Sequence, residues 1–372
     1  MNAQKVIGKL PSGGGVTQGA ILLGAKIILL VAVFCLLGQP ALAKGPKNCR
    51  QTAKSAFKAC KSEVKDDYFI AVGKCYNLPT AEETKDCIQD AKVEQQEDKE
   101  LCEDQGDARK DVCEALGEDP YNVDIGSLTF IPPASINALN ANPYFPLVPG
   151  YQWTYKTKVG AVVTETITVE VTGDTVNIEG VDCVVVHDVV YEGDLDDPAD
   201  DPDEIIEDTY DWYAQQSVAG AAYPGGPVYG VGTVWYFGEF SLATQECDEE
   251  TGELCEEFYD DEGSWRAGFD GAVPGIIMFA DGEAVVGTVF RQEFALGDAE
   301  DMGEVLSTDF GLVSVPEADY SIDILQTKDF TPVEPDVYEH KFYAPGVGVI
   351  KEEAFEDGVA TGEVVELESK SF

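Results

Sequence analysis

The sequence predicts an α+β chain: an N-terminal disulfide-linked antiparallel helical hairpin, then a mainly antiparallel β domain, either a curved half-barrel or a sandwich. Three observations carry this prediction. Six cysteines at 49, 60, 75, 87, 102 and 113 are spaced by 11, 15, 12, 15 and 11 residues, a series that reads the same in both directions. From residue 142 onward, short runs alternate apolar and polar residues and are punctuated by Gly and Pro. No helical period is sustained there.

Residues 1–43 read as a signal peptide. Lys5, Lys9 and Lys26 precede an apolar run from Ile27 to Leu37, and "GQPALA" places Ala41 and Ala43 at the small-residue positions of a cleavage site. Cleavage is predicted after Ala43. The apolar core is short for a membrane span, although the long basic lead-in keeps an uncleaved anchor as the competing reading. The mature chain is therefore expected to be exported and to fold in an oxidising space: periplasm, cell surface or medium.

Residues 44–119 are the predicted hairpin. A step of 11 residues rotates a helical position by about 20° and a step of 15 by about 60°, so the three cysteines of each helix share a side. "YNLPTAEE" breaks the two helices at Pro79 and opens the second with a capping box, Thr80 with Glu83; Gly117 and Pro120 end it. Antiparallel pairing then nests three rungs: Cys75–Cys87, Cys60–Cys102 and Cys49–Cys113. Six cysteines allow fifteen connectivities, and this one matches both the periodicity and the symmetry. Charge agrees, since residues 44–78 carry eight basic and three acidic side chains and residues 79–119 carry five and fifteen. The absence of C-x-x-C, and of any histidine before residue 187, disfavours a metal or haem role.

Residues 120–141 read as a linker packed on the domain that follows. Residues 142–372 form the acidic antiparallel β domain, with about ten strands expected. They include "TETITVEVTGD", "VDCVVVHDVVY", "EIIEDTYDWYAQ", "GTVWYFGEF", "VYEHKFYA" and "GVGVIKEEAFE". Cys247 and Cys255 bracket "DEETGEL" and are expected to close a hairpin tip as Cys247–Cys255. Cys183 is left over, and its strand suggests a buried thiol behaving as a small hydrophobe.

Several segments also carry a resemblance. "NPYFPLVPGYQWTY" resembles the opening of many secreted bacterial proteins and lipoproteins. "IEDTYDWYAQ", "VWYFGE", "SWRAGFDGAVPGIIM", "YEHKFYAPGVGVIKEE" and the preceding "ARKDVCEALGE" resemble a family of secreted bacterial β-rich proteins to which no activity is attached. The resemblance spans roughly residues 107–356. It implies a secreted β-rich fold of the curved-sheet type used by lipoprotein carriers, and it brings no catalytic residue. The chain departs from the pattern in two connections: "DLDDPADDPDE" is inserted at a hairpin tip, and "QSVAGAAYPGGPVYGVGT" replaces a short turn. Connections are where insertions are best tolerated.

Charge narrows the partners. The chain has 24 Lys and Arg against 70 Asp and Glu, a net of −46. Such a chain repels nucleic acid and anionic membrane surfaces and attracts divalent cations or basic partners. Nine of the fifteen residues from Asp194 to Asp208 are acidic. Asp194, Asp196, Asp197, Asp200, Asp201 and Asp203 are the candidate calcium ligands, although Pro198 and Ala199 break the spacing of a calcium loop and a solvated tip competes with that reading. The two histidines, His187 and His340, fall on predicted strands near Asp188, Asp211 and Glu339. With Asp211 they make a candidate transition-metal site if the strands lie close, against hydrogen-bonded sheet histidines as the plainer reading.

G-x-S-x-G, H-E-x-x-H, P-loop and dinucleotide signatures are all missing. The expected function is therefore that of a non-enzymatic secreted or surface interaction protein that assembles with itself or another secreted protein, with calcium relieving the charge. A periplasmic carrier holding a hydrophobic ligand in a curved sheet is the second reading, and a metal-dependent enzyme the third. Trp212, Tyr213, Trp235, Tyr236, Phe237, Trp265 and Phe269 either pack the core or line a concave face.

Overall fold

The computed structural model describes residues 47–196, 205–221, 228–248, 253–260 and 263–372; for residues 221, 244–248 and 253–260 it describes the backbone alone. The described residues from 47 onward belong to one compact unit. Two helices come first, α1 (Asn48–Cys75) and α2 (Ala81–Leu116). The capping box at the start of α2 is complete: Thr80 Oγ1 accepts from the Glu83 amide at 3.2 Å, and the Glu83 carboxylate accepts from the Thr80 amide at 3.1 Å. Gly117 ends the helix at φ 92°, a left-handed conformation that favours glycine.

Three disulfides join the helices as the palindromic spacing predicts: Cys49–Cys113, Cys60–Cys102 and Cys75–Cys87. Opposite charges meet between them, Arg50 with Glu114 and Glu118 and Lys61 with Glu103. These pairs are exposed and stabilise little. Few apolar residues are buried along either helix, so the rungs substitute for a core. Replacing Cys60 and Cys102 together by Ser is expected to cost about 2 kcal/mol in chemical denaturation, with the outer rungs intact by mass spectrometry. A loss near zero would mean the outer rungs suffice.

The β region contains, in chain order, β1 (Gln152–Val159), β2 (Val162–Ile178), β3 (Val181–Glu192), β4 (Ile205–Gln215), β5 (Gly220–Ala221), β6 (Val228–Tyr229), β7 (Val234–Asp248), β8 (Glu253–Asp260), β9 (Trp265–Arg266), β10 (Val273–Met278), β11 (Val289–Arg291), β12 (Glu293–Phe294), β13 (Met302–Ser307), β14 (Val313–Ser314), β15 (Asp319–Tyr320), β16 (Leu325–Phe330), β17 (Val337–Ala344), β18 (Gly348–Glu356) and β19 (Val359–Ser371). The main sheet runs β11-β13-β16-β17-β18-β19-β1-β2-β3-β4-β7-β10-β12, with β8 and β9 paired to β7. Its two ends, β11 and β12, are consecutive pieces of one segment with only Gln292 between them. The sheet thereby curls into a nearly closed barrel, which decides between the half-barrel and the sandwich. Closure brings backbones very close. A Cβ on Gly275 would lie 2.2 Å from the Gln292 carbonyl oxygen, so the "VPGIIM" glycine is required there. Bulges along β1, β2, β4, β7, β17 and β18 bend the wall.

Residues 120–151 pack onto the barrel. Leu128, Ile136 and Leu147 join the main core. Asn142, 2% exposed, pins this segment. Its side-chain amide donates to the Gly232 and Phe279 carbonyls, its side-chain oxygen accepts from the Tyr144 and Phe145 amides, and its backbone amide donates to Gln215. The whole side chain of that buried asparagine and its backbone amide are thus used, which sets "NPYFPL" across the barrel wall. Cys183 is fully buried and unpaired, and burial pushes its thiol up to about 12. The expected Cys247–Cys255 bridge lies outside the described side chains. Residues 1–46, including the predicted leader, lie outside the described residues. Among the described residues no helix is long and apolar enough to cross a membrane.

Candidate functional site

The barrel interior holds a cavity of about 280 Å³. Strand alternation decides what lines it. On β1, Trp153, Tyr155 and Thr157 point inward, and register places Tyr155 between Ile167 of β2 and Leu367 of β19. The Trp153 indole donates to the Val347 carbonyl at 2.8 Å and the Tyr155 hydroxyl to the Val349 carbonyl at 3.1 Å. Phe145 meets Tyr213 edge-on at 4.9 Å. This part of the cavity is apolar and aromatic.

The same inward rows then turn acidic. Asp188, Asp211 and Glu352 line the cavity, with Lys341 as the one cation among the described lining residues. Register explains the gathering: Val186 stands opposite Asp211, and Lys341 stands between Thr327 and Glu352. Lys341 lies 3.3 Å from Glu339, 3.6 Å from Glu352 and 3.9 Å from Asp329. A second hollow continues past Lys341 and is lined by Glu239, Glu293, Asp301, Asp329 and Glu339. One ammonium thus serves many carboxyls in a confined space.

Crowding and burial push up the pKa values of Asp188, Asp211, Glu239, Glu293, Asp301 and Glu352. Burial raises Asp188 well above the ordinary carboxylate range, and the neighbouring Asp211 and Glu207 add to it. Burial raises Asp211 to about 6, against hydrogen bonds from Tyr236 and Tyr213 that favour the carboxylate. It raises Glu352 to about 7 although Lys341 works the other way, and Glu239 to about 8, with Asp211 adding. Glu293 and Asp301 are raised too, each chiefly by burial. Burial acts to lower Lys341, but Glu352, Glu339 and Asp329 outweigh it and hold the ammonium charged. Asp188, Asp211, Lys341 and Glu352 are only partly covered, because they face the barrel's hollow rather than bulk water.

One geometric detail agrees with these directions. The single Tyr236 hydroxyl lies 2.6 Å from Asp211 Oδ1 and 2.9 Å from Glu239 Oε2. A hydroxyl has one hydrogen to donate, so both short contacts require a proton on one carboxyl. With a proton on Glu239, the carboxyl that burial raises further, Glu239 donates to the Tyr236 oxygen and Tyr236 donates to Asp211.

The residues singled out from sequence fall elsewhere, apart from Asp211. His187 lies on the outer face of β3, with its Nε2 2.7 Å from Asp208 and its ring stacked on Tyr210 at 4.3 Å. His340 lies on the outer face of β17 against Phe355 and Tyr338, and burial lowers it. Four strands, β18, β19, β1 and β2, separate the two histidines along the sheet. Asp211 is on the opposite face from both, so the structure does not bring this trio together. Asp194 and Asp196 both hold Lys156, at 2.8 and 2.7 Å. Asp197, Asp200, Asp201 and Asp203 lie outside the described residues. Among the described residues no group of three or more His, Cys, Asp or Glu has metal-holding geometry. Sequence reasoning missed Lys341, Glu352 and Glu239. For Lys341 the signal is a charged residue in phase with a buried aromatic of its strand, Tyr343 in "YEHKFYA".

No family model and no curated protein matches the chain. Two solved structures are similar in part. One is an inferred exported protein with a YmcC-like fold from Bacteroides fragilis NCTC 9343, at 12% identity and a TM-score of 0.34, covering 62% of this chain and 100% of that one. The other is an inferred lipoprotein from Parabacteroides distasonis ATCC 8503, at 12% identity and a TM-score of 0.28, covering 62% and 99%. Likeness at this level assigns no residue a role.

Proposed function

We propose that the chain is an exported, non-enzymatic binding module whose barrel takes a small molecule with an apolar body and a basic end. One observation carries the reading: the cavity wall passes from Trp153, Tyr155 and Val169 to the carboxyls of Asp188, Asp211 and Glu352, with Lys341 as the one cation among the described lining residues. Apolar walls with a few convergent polar groups are the ordinary make-up of a small-molecule site. An ammonium placed beside Asp188 and Asp211 relieves their mutual repulsion and lets Asp188 ionise, so binding releases a proton. The three hairpin disulfides and the leader-like run before residue 44 support export to an oxidising compartment.

The test is calorimetric titration with 2-phenylethylamine, which stays charged between pH 5 and pH 8, beside uncharged ethylbenzene. Affinity for the amine is expected to be about tenfold or more higher at pH 8 than at pH 5, because Asp211 and Glu352 ionise between them. Asp211→Asn removes a repelled charge, so the variant should fold and yet bind about tenfold more weakly. Equal affinity for ethylbenzene, or binding indifferent to pH, would sink the reading.

A further inference from the structure

A second cavity, about 510 Å³, lies where the hairpin meets the barrel. Val112 of α2 walls one side, and Phe279 and Phe290 wall the other. Arg291 lines it at 9% exposure. Its guanidinium carbon lies 4.5 Å from the Phe294 ring centroid and 5.4 Å from that of Tyr121. One of its terminal nitrogens lies 3.7 Å from the Met302 sulfur. Its Nε has no hydrogen-bond partner. Among the described residues no carboxylate lies within ion-pairing distance of it.

The nearby buried carboxylate is already engaged. Glu300 accepts from Arg109 Nε at 3.0 and 3.1 Å and from Arg109 Nη2 at 2.7 Å, and it also accepts from the Gly297 amide. Of the two buried guanidiniums at this seam, Arg109 takes the buried carboxylate and Arg291 is left with a positive charge that no described carboxylate meets. Aromatic rings attract that charge without neutralising it. Burial works against it, lowering Arg291 from its ordinary value, and Arg109 adds to this. Glu283 and Asp119 reach the cavity only from exposed rim positions, and Glu283 accepts from the Gly230 amide. A buried donor left open beside an apolar cavity is the arrangement a ligand acceptor completes.

We infer that this cavity binds a small organic anion, an apolar chain or ring bearing one carboxylate, with the carboxylate on Arg291. A monoanion matches the single surplus charge. A dianionic head would leave charge unmatched among aromatic rings, and a chain of net −46 repels it more strongly. Recognition is thus short-range: the field of the whole chain opposes the anion and the buried guanidinium selects it. The site is distinct from the barrel interior and has the opposite polarity.

Decanoate, decanol and decyl phosphate titrated calorimetrically into the full chain test this. Decanoate is expected to bind one per chain and to raise the melting temperature, with decanol about tenfold or more weaker. Arg291→Met exchanges a buried charge for an apolar chain of similar length; it should stay folded by circular dichroism and lose decanoate binding by a comparable factor. Leu116→Trp, at the exposed rim, narrows the opening and should weaken binding without touching the charge. Binding of 2-phenylethylamine should be unchanged in Arg291→Met. Four results would each overturn the assignment: no decanoate binding, equal affinity for decanol, tighter binding of decyl phosphate, or decanoate affinity retained in Arg291→Met. Competition between decanoate and 2-phenylethylamine would also do so, by placing both in one cavity.

Discussion

Raising the pH from 5 to 8 is expected to destabilise the protein by roughly 3 kcal/mol, lowering its melting temperature by roughly 5–10 °C. The cause is the carboxyl cluster inside the barrel. Asp211 titrates near 6, Glu352 near 7 and Glu239 near 8 in the fold, each above its unfolded value. A raised folded pKa means that the folded state binds more protons. Its stabilisation is fully present below the unfolded value and is lost as pH climbs through the folded one, which places the decline between about pH 4 and pH 8. A tenfold gain in proton affinity on folding is worth about 1.4 kcal/mol at full burial. These side chains keep some contact with water in the hollow, so the total is set well below the simple sum.

Other groups limit the effect at the acidic end. His340 is held below its ordinary value by burial, so its contribution is lost as pH falls. Asp194, held down by Lys156, and Glu317, held down by Lys370, lose theirs at still lower pH. Maximum stability is therefore expected near pH 5. Glu239→Gln can donate to Tyr236 as the protonated acid does, and it should remove the largest share of the decline. A melting temperature that climbs steadily from pH 5 to pH 8 would contradict the account.

The second large effect is expected at the seam between hairpin and barrel. Glu300→Gln should cost about 3–5 kcal/mol, because it leaves Arg109 buried without its carboxylate. Arg109 and Glu300 are nearly enclosed, with side chains 6% and 2% exposed. Surface pairs such as Lys61–Glu103 should be worth far less, so Glu103→Gln is the natural control. Replacing both Arg109 and Glu300 by Met should recover most of the loss, since an apolar pair of similar size avoids desolvating two charges. Urea denaturation of the three variants measures this. A cost under about 1 kcal/mol for Glu300→Gln would mean that water already reaches the pair.

Much of the fold was legible because its signals are local. Cysteine steps of 11 and 15 project onto one helical face whatever else the chain does, and the capping box at Thr80 needs only Glu83. Strand alternation is similarly short-range, so "TETITVEV" and "VYEHKFYA" read as strands without their partners. The acidic stretch from Asp194 to Asp208 drew attention for its density; of its described members, Asp194 and Asp196 hold Lys156, Asp208 holds His187, and Glu207 accepts from Thr209. Density along the chain does not report what converges in space.

The sequence by itself determined the laddered hairpin, the sheet-rich remainder and the excess of negative charge. Only the tertiary structure decided that the sheet closes, because closure depends on β11 and β12 pairing with strands far apart along the sheet. Closure in turn decided which face became the interior. Register from β4 round to β17 set Asp211 and Lys341 into one hollow, and it left His187 and His340 outside on separate strands. A period of two says that neighbouring residues face opposite ways. Which way is inward is a property of the barrel.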